Sequence, residues 1–372
     1  MKKNASNLDL QPYIVELGKR SYPVYVDSGL IRKIGTLITE HMSSFEKCLV
    51  VTSDSIWRVH GRSLLESLEK KRINISKALV PDGEEAKSWS VAEKLIGDLL
   101  EHNLDKQSTI IGFGGGAVGD LAGFVSSIYL RGVNLIQVPT TLLAQADSSL
   151  GGKTAVNHPK GKNLIGSFHQ PAMVFSDTNL LQTLPRKEIL SGLGEVVKHG
   201  VIADQLLFNF VEANKGKLVD ADPDALAHVV KRSVAIKGAL VTLDERDSLD
   251  VRAVLNYGHT TGHALEILSK LEIRHGEAVA LGMMVASRIS QSLGLTTSEN
   301  TERQRRLLTE LGFDLKPPQI TPLEIVELMH RDKKAVKGSI RFVLPTGIGS
   351  PPVLKAVSEH LLIEALEDEG YG

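Results

Sequence analysis

A single cysteine, Cys48, stands in 372 residues, so neither an internal disulfide nor a thiolate metal cluster can form. It lies in the apolar run Lys47-Cys48-Leu49-Val50-Val51 and reads as a buried core thiol rather than a reactive one. Net charge is nearly absent too, since 43 basic and 44 acidic side chains leave −1. No global basic field exists to hold nucleic acid or an anionic membrane, and any attraction for an anionic substrate has to be local. No apolar stretch approaches the ~18 charge-free residues of a membrane span. The start, Met1-Lys2-Lys3-Asn4-Ala5-Ser6-Asn7, has lysines with no apolar segment behind them, unlike a secretory signal. The expectation is a cytoplasmic protein without nucleic-acid or membrane partners.

What is present is an ordinary globular composition, 42% hydrophobic and 23% charged, on a chain long enough for two domains. Short β-rich runs alternate with helical patterns in the first half. Tyr13 to Leu17 and Tyr22 to Val26 predict a hairpin, and Lys47 to Thr52, Ile73 to Val80, Thr109 to Phe113 and Asn134 to Pro139 predict strands. Helical periodicity lies between them, around 59–71 and 88–103, so the sheet should be mainly parallel with helices on both faces. From about Thr183 onward helices dominate, at 187–203, 225–244, 259–268, 277–293, 298–311 and 321–329. A late β-like stretch, Ser339 to Leu344, is the exception, and 358–368 reads as an amphipathic helix. The boundary between an α/β half, 1–182, and a helical half, 183–372, falls near Leu180 to Pro185.

Three patterns carry chemistry. Gly114, Gly116 and Gly119 fit G-x-G-x-x-G directly after a predicted strand, where backbone N–H groups can approach a pyrophosphate. A plain glycine-rich turn explains the same residues, and no strand ending in an acidic residue follows about 20 residues on, as a Rossmann fingerprint requires. Second, Glu195 is followed by His259, His263 and His275; the first two histidines are four apart and share a helix face. Carboxylate and imidazole donors suit zinc, while the absence of Glu between His259 and His263 argues against a metalloprotease. Any one histidine is explained as well by a core hydrogen bond, and spacing leaves open which of them bind metal. Third, Lys153 and Lys162 sit in a Gly-, Ser- and Asn-rich segment too irregular for a plain helix face, a composition common in loops that line sites. For Lys198, Lys237, Arg252, Lys333 and Lys334 a solvated surface charge is the alternative.

The segments Pro81-Asp82-Gly83-Glu84, Gly114 to Asp120, Tyr129-Leu130-Arg131-Gly132 and Gln137 to Ser149 belong to one larger pattern. It continues through Phe168-His169-Gln170-Pro171, Asp244-Glu245-Arg246, Leu255 to Glu266, His275-Gly276-Glu277 and Asp332-Lys333-Lys334. In these, over nearly its whole length, the chain resembles the 3-dehydroquinate synthases of the shikimate pathway, which leads to chorismate and the aromatic amino acids. The resemblance implies a Rossmann-like α/β domain followed by an all-α domain, a homodimer, NAD, and one divalent metal, zinc or alternatively cobalt. It implies Glu195, His259 and His275 as metal ligands and His263 as a group beside the substrate. NAD contacts would fall on Glu84, Lys87, Gly115, Gly116, Ala117, Val118, Asp120, Thr140 and Thr141, with Lys153, Lys162 and Thr183 helping. An anionic sugar-acid phosphate would meet Arg131, Asp147, Lys153, Asn163, Lys198, Lys237, Arg252, Asn256 and one or both of Lys333 and Lys334. The chain departs from the family at Thr52-Ser53-Asp54-Ser55, so Ser53, Asp54 and Ser55 are all candidates for the adenosine ribose.

The reaction so implied starts from 3-deoxy-D-arabino-heptulosonate 7-phosphate. One alcohol is oxidised, phosphate is eliminated, the ketone is reduced again and an aldol step closes the ring, which makes the enzyme a lyase. The competing readings are another sugar-phosphate cyclase and a metal-dependent alcohol dehydrogenase. A cyclase acting on substrates without a carboxylate would not need Arg252 paired with Asn256, and a dehydrogenase would release NADH.

Overall fold

The computed structural model describes residues 10–42, 45–270, 272–331 and 339–372. The chain divides into two compact units, Met1–Leu184 with Leu226–Arg246, and Pro185–Ala225 with Asp247–Gly372.

In the first unit β1 (Tyr13–Val15) and β2 (Tyr22–Asp27) form the antiparallel hairpin that the sequence predicts. Then come α1 (Ile34–His41), β3 (Lys47–Ser53), α2 (Asp54–Glu69), β4 (Asn74–Val80), α3 (Trp89–Glu101), β5 (Thr109–Gly114), α4 (Gly116–Ile128) and β6 (Asn134–Pro139). The unit continues with β7 (Lys153–His158), β8 (Gly161–Phe168) and β9 (Met173–Asp177). Seven strands make one sheet in the order β1-β2-β9-β6-β5-β3-β4, parallel except at β1/β2. The pleat sends alternate residues to opposite faces. Leu49, Val51, Ile110 and Leu135 pack with Leu95 of α3 and Leu121 of α4. Cys48, Val50, Ile111 and Ile136 pack with Ile34 of α1 and Leu64 of α2 on the other side. Cys48 is fully buried, and burial pushes its thiol up to about 12.

Three strands of this unit were not expected from the sequence. The segment read as an irregular loop around Lys153 and Lys162 is the antiparallel hairpin β7–β8. Its glycine is there for close approach, since a Cβ on Gly166 would stand 2.4 Å from the Thr154 carbonyl oxygen. Strand β9, in the middle of the sheet, has only five residues and no alternation that marks it out.

The second unit begins with α5 (Arg186–Ala203), α6 (Gln205–Ala213), α7 (Lys215–Val219) and the start of α8 (Pro223–Leu243). The rest of α8 groups with the first unit. There Gly238 lies against Tyr13, where a Cβ would be 2.3 Å from the ring, Thr242 accepts from the Glu16 N–H at 3.2 Å, and Glu245 pairs with Arg20 at 2.6 Å. The second unit resumes with α9 (His259–Leu268), α10 (His275–Ser292), α11 (Ser298–Leu311), α12 (Pro322–Arg331), the antiparallel pair β10 (Ser339–Leu344) and β11 (Val353–Ser358), and α13 (Glu359–Asp368).

Helices α5, α9 and α10 touch backbone to backbone. A Cβ on Gly276 would stand 2.0 Å from the Ser191 oxygen, and one on Gly282 1.9 Å from the Gly258 oxygen. Gly258 itself has φ +80°, a left-handed conformation that favours glycine. Gly282→Ala should therefore destabilise the fold by about 2 kcal/mol or more, the scale of core overpacking. Urea unfolding would register this as a lower midpoint, and an unchanged midpoint would contradict the close approach.

Candidate active site

In the second unit the glycine contacts bring three donors together. Glu195, in the middle of α5, is fully buried. Its Oε1 lies 3.5 Å from His259 Nε2 and 3.3 Å from His275 Nε2, and its Oε2 is paired with the Lys198 ammonium one turn on. Lys198 is itself 1% exposed. His259 opens α9 and His275 opens α10, so both rings project from first turns next to α5. Two donors each ~2.0–2.1 Å from a tetrahedral ion stand about 3.3 Å apart, which is the spacing found here. The donor atoms of Glu195, His259 and His275 all lie within 4.8 Å of one another.

The electrostatics of the cluster are those of a cation site. Burial alone would raise the Glu195 carboxyl, but Lys198, His259 and His275 hold it well below the usual carboxylate range. Burial pushes His259 well below the ordinary imidazole value, Glu195 only partly opposing. For His275 burial works downward, yet Glu195 and Glu266 raise it to about 10. A metal binds only the neutral ring and must displace that proton.

His263 lies on α9 one turn after His259, the ring centroids 5.2 Å apart, and is exposed. Arg252 is 3% exposed and Asn256 partly buried, both on the 3-10 turn Val251–Asn256 that leads into α9. Lys333 and Lys334 lie outside the described residues.

In the first unit the glycine turn places Gly115 as the N-cap of α4, with no side chain capping it, at the carboxyl end of β5. Gly116, Ala117 and Val118 form the first turn. A Cβ on Gly115 would stand 3.1 Å from Thr141 and one on Gly116 2.9 Å from Ser148. Thr140, 2% exposed, sits at the adjacent end of β6, its N–H donating to the Gly114 oxygen at 2.9 Å. Bare N–H groups and glycines at a helix start fit the phosphates of a dinucleotide.

Beside that turn several predicted residues form one network. Lys87, 5% exposed, donates to Asp120 at 2.6 Å and to Asn163. Asn157 donates to Glu84 at 2.7 Å and accepts the Asn163 N–H at 2.9 Å. Desolvation raises the Asp120 carboxyl despite the Lys87 charge. Asn157 was not singled out from the sequence; it is the last residue but one of β7, and no motif marks it. Lys237 donates to the Asp147 carbonyl oxygen at 2.9 Å, and its ammonium is ion-paired with the Asp147 carboxylate at 2.8 Å. Arg131 is exposed in a turn where Leu130, Arg131 and Gly132 all have positive φ. Lys153 and Lys162 are exposed on the β7–β8 hairpin, and Thr183 bonds His60 at 2.8 Å. Of the ribose candidates, Ser53 caps α2, Ser55 donates to Asp82, and Asp54 pairs with Arg58 at 2.7 Å.

His275→Ala should abolish stoichiometric Zn²⁺ uptake by equilibrium dialysis. The wild-type affinity should rise with pH while His275 would otherwise hold its proton, up to about 10. Full uptake by the variant, or an affinity flat between pH 6 and pH 8, would contradict this donor set.

Comparison with known proteins shows the family. The family model of the 3-dehydroquinate synthase N-terminal region matches residues 77–191, and that of the C-terminal region matches 192–335. A 3-dehydroquinate synthase of Desulforamulus reducens is 44% identical over 95% of this chain and 98% of its own length. That of Thermodesulfovibrio yellowstonii is 41% identical over 95% and 99%. Among solved structures, a 2-deoxy-scyllo-inosose synthase with carbaglucose-6-phosphate, NAD⁺ and Co²⁺ superposes with a TM-score of 0.88 at 25% identity, covering 96% of this chain and 100% of its own. A 2-epi-5-epi-valiolone synthase of Streptomyces hygroscopicus with NAD⁺ and Zn²⁺ shares the fold at a TM-score of 0.85 and 23% identity, over 94% and 96%. With matches of this extent along both halves, the chain belongs to the 3-dehydroquinate synthase family and is an enzyme of that type, a phosphate-eliminating lyase.

Proposed function

We propose that the chain turns 3-deoxy-D-arabino-heptulosonate 7-phosphate into 3-dehydroquinate and phosphate with the residues described above, in the cytoplasm. The observation that carries the assignment of roles is the buried Glu195 carboxylate facing two imidazole nitrogens and an ammonium. Glu195, His259 and His275 are the proposed metal ligands, and one oxygen with two nitrogens suits zinc, with cobalt as a substitute. NAD is assigned to the uncapped start of α4 with Thr140 and Thr141, and to the network of Glu84, Lys87 and Asp120, with Lys153, Lys162 and Thr183 contributing. The location is supported by the finding that no helix among the described residues is long and apolar enough to cross a membrane.

The reaction transiently oxidises one alcohol, eliminates phosphate, reduces the ketone and closes the ring by aldol addition, with no net redox change. When bound, the dinucleotide supplies the hydride acceptor and donor, and the metal supplies a Lewis acid that eases loss of the alcohol proton. The chain's own groups bind and orient. Arg252 is buried, so its planar fork is held rigidly for a carboxylate. Lys237 is fixed by Asp147 at 2.8 Å, a preset ammonium for an anionic oxygen. Lys198, held on Glu195, keeps that ligand charged and presents a second ammonium beside it. Arg131, Lys153, Asn163, Asn256, His263 and Lys334 complete the proposed substrate contacts. Fixing both anionic ends of the substrate holds the reacting carbons in place between steps.

Phosphate release from this substrate, with NAD⁺ and Zn²⁺ and absorbance followed at 340 nm, tests the assignment. EDTA should stop release, and no net NADH should accumulate. Arg252→Ala should lower kcat/KM on the order of 100-fold, mainly through KM, as loss of a buried charge partner does. Unchanged kcat and KM would remove Arg252 from the site, and activity on a carboxylate-free sugar phosphate would reassign the substrate.

A homodimer is proposed as well. Leu164 and Phe168 lie on one face of β8, 63% and 46% exposed, and Ile128 and Leu130 at the end of α4 are 40% and 43% exposed. Ser167, next to Phe168, donates to Ser127 of α4 at 2.7 Å, so Leu164 and Phe168 lie on the opposite, outward face of the strand. Light scattering should give twice the chain mass for the wild type and the chain mass for Leu164→Glu/Phe168→Glu. An unchanged mass in the double variant would place the interface elsewhere.

A further inference from the structure

We infer that Glu266, on α9, is the positioning residue of the metal centre, holding His275 from the side opposite the metal. The inference rests on the proposed ligand set of Glu195, His259 and His275. His275 stands between two carboxylates: its Nε2 is 3.3 Å from Glu195 Oε1 and its Nδ1 is 3.5 Å from Glu266 Oε1. A neutral imidazole has one N–H and one lone pair, and an ionised carboxylate can only accept. With the metal of the proposed ligand set on Nε2, the ring's one N–H is on Nδ1, where Glu266 stands to accept it. This choice of tautomer is the one a metal between those three donors requires.

The other two donors are backed in the same way. His259 Nδ1 lies 3.2 Å from the Tyr257 carbonyl oxygen, and Glu195 Oε2 is held by Lys198. Glu266 differs from the Tyr257 carbonyl in bringing a full negative charge to the rear of the ring, which strengthens donation from Nε2. It is 8% exposed, and a carboxylate so buried is costly unless it is paired. His263, three residues earlier on the same helix, has a donor atom within 4.8 Å of both Glu266 and His275. It is the alternative partner that the experiment has to separate.

The test uses the full chain, stripped of metal and titrated with Zn²⁺ against a chromophoric chelator, with Co²⁺ absorption as the spectroscopic signature. Glu266→Gln, which keeps the shape and one acceptor oxygen, should weaken Zn²⁺ binding roughly 10- to 100-fold. It should also alter the Co²⁺ bands while leaving the melting of the metal-free protein in place. Glu266→Leu should weaken binding further, and His263→Ala should leave it within about twofold, well short of that loss. Wild-type Zn²⁺ affinity in Glu266→Gln overturns the role, whether or not the Leu variant folds. An equal loss in His263→Ala overturns it too, because Glu266 then acts through His263. A wild-type chain that takes up no Zn²⁺ overturns the ligand set itself, a failure distinct from normal uptake by wild type and variant alike.

Discussion

A fully buried carboxylate in the middle of a helix is the constraint around which the second unit is organised. Glu195 has no contact with water, and an isolated charge in that position would cost several kcal/mol. The chain offsets this by converging three cationic or potentially cationic groups on its two oxygens. That convergence requires α5, α9 and α10 to approach more closely than side chains normally permit. Gly276 and Gly282 let them do so, and the first turns of α9 and α10 then deliver His259 and His275 to one oxygen. Packing and chemistry are inseparable here, because the residues that bring the helices together are small for the same reason that the donors meet.

The first unit solves the inverse problem with a buried cation. Lys87 has its ammonium between Asp120 and Asn163, with Glu84 and Asn157 around it. The network ties the segment after β4, the first turns of α4 and the β7–β8 hairpin to one another. Its outer members, Glu84 and Asn163, stay exposed. A rigid base with an accessible rim suits groups that must hold a bound molecule without collapsing when it leaves.

How much of this could be read beforehand depended on the length and periodicity of each segment. Helices α9 and α11 fall on the residues expected, because their apolar spacing is unbroken and each has a clear start. Strands β3, β5 and β6 were legible as short apolar runs after polar turns. The hairpin β7–β8 was not, since Gly161, Gly166, Lys162 and Asn163 give it the composition of a loop. The reason is physical: β8 is mostly exposed and its glycines serve backbone contact rather than burial. Strand β9 escaped notice because five fully buried residues carry no alternation. In the site, the motifs pointed to Glu195 and the histidines, but not to Asn157, nor to any role for Glu266 beyond its place in the pattern. A residue that acts by holding another has no spacing rule of its own.

The path of α8 has a consequence for how the protein is made. The helix starts in the second unit and ends in the first, so neither unit is a continuous stretch of chain. On the ribosome the strands of the sheet emerge early, yet Tyr13, Glu16 and Arg20 must wait for Gly238, Thr242 and Glu245 before their contacts can form. Domain-by-domain folding during synthesis, the usual route for chains of this size, is closed to the first unit until the segment Leu226–Arg246 has been translated. The hairpin β1–β2 is thus made well before the residues that complete its packing.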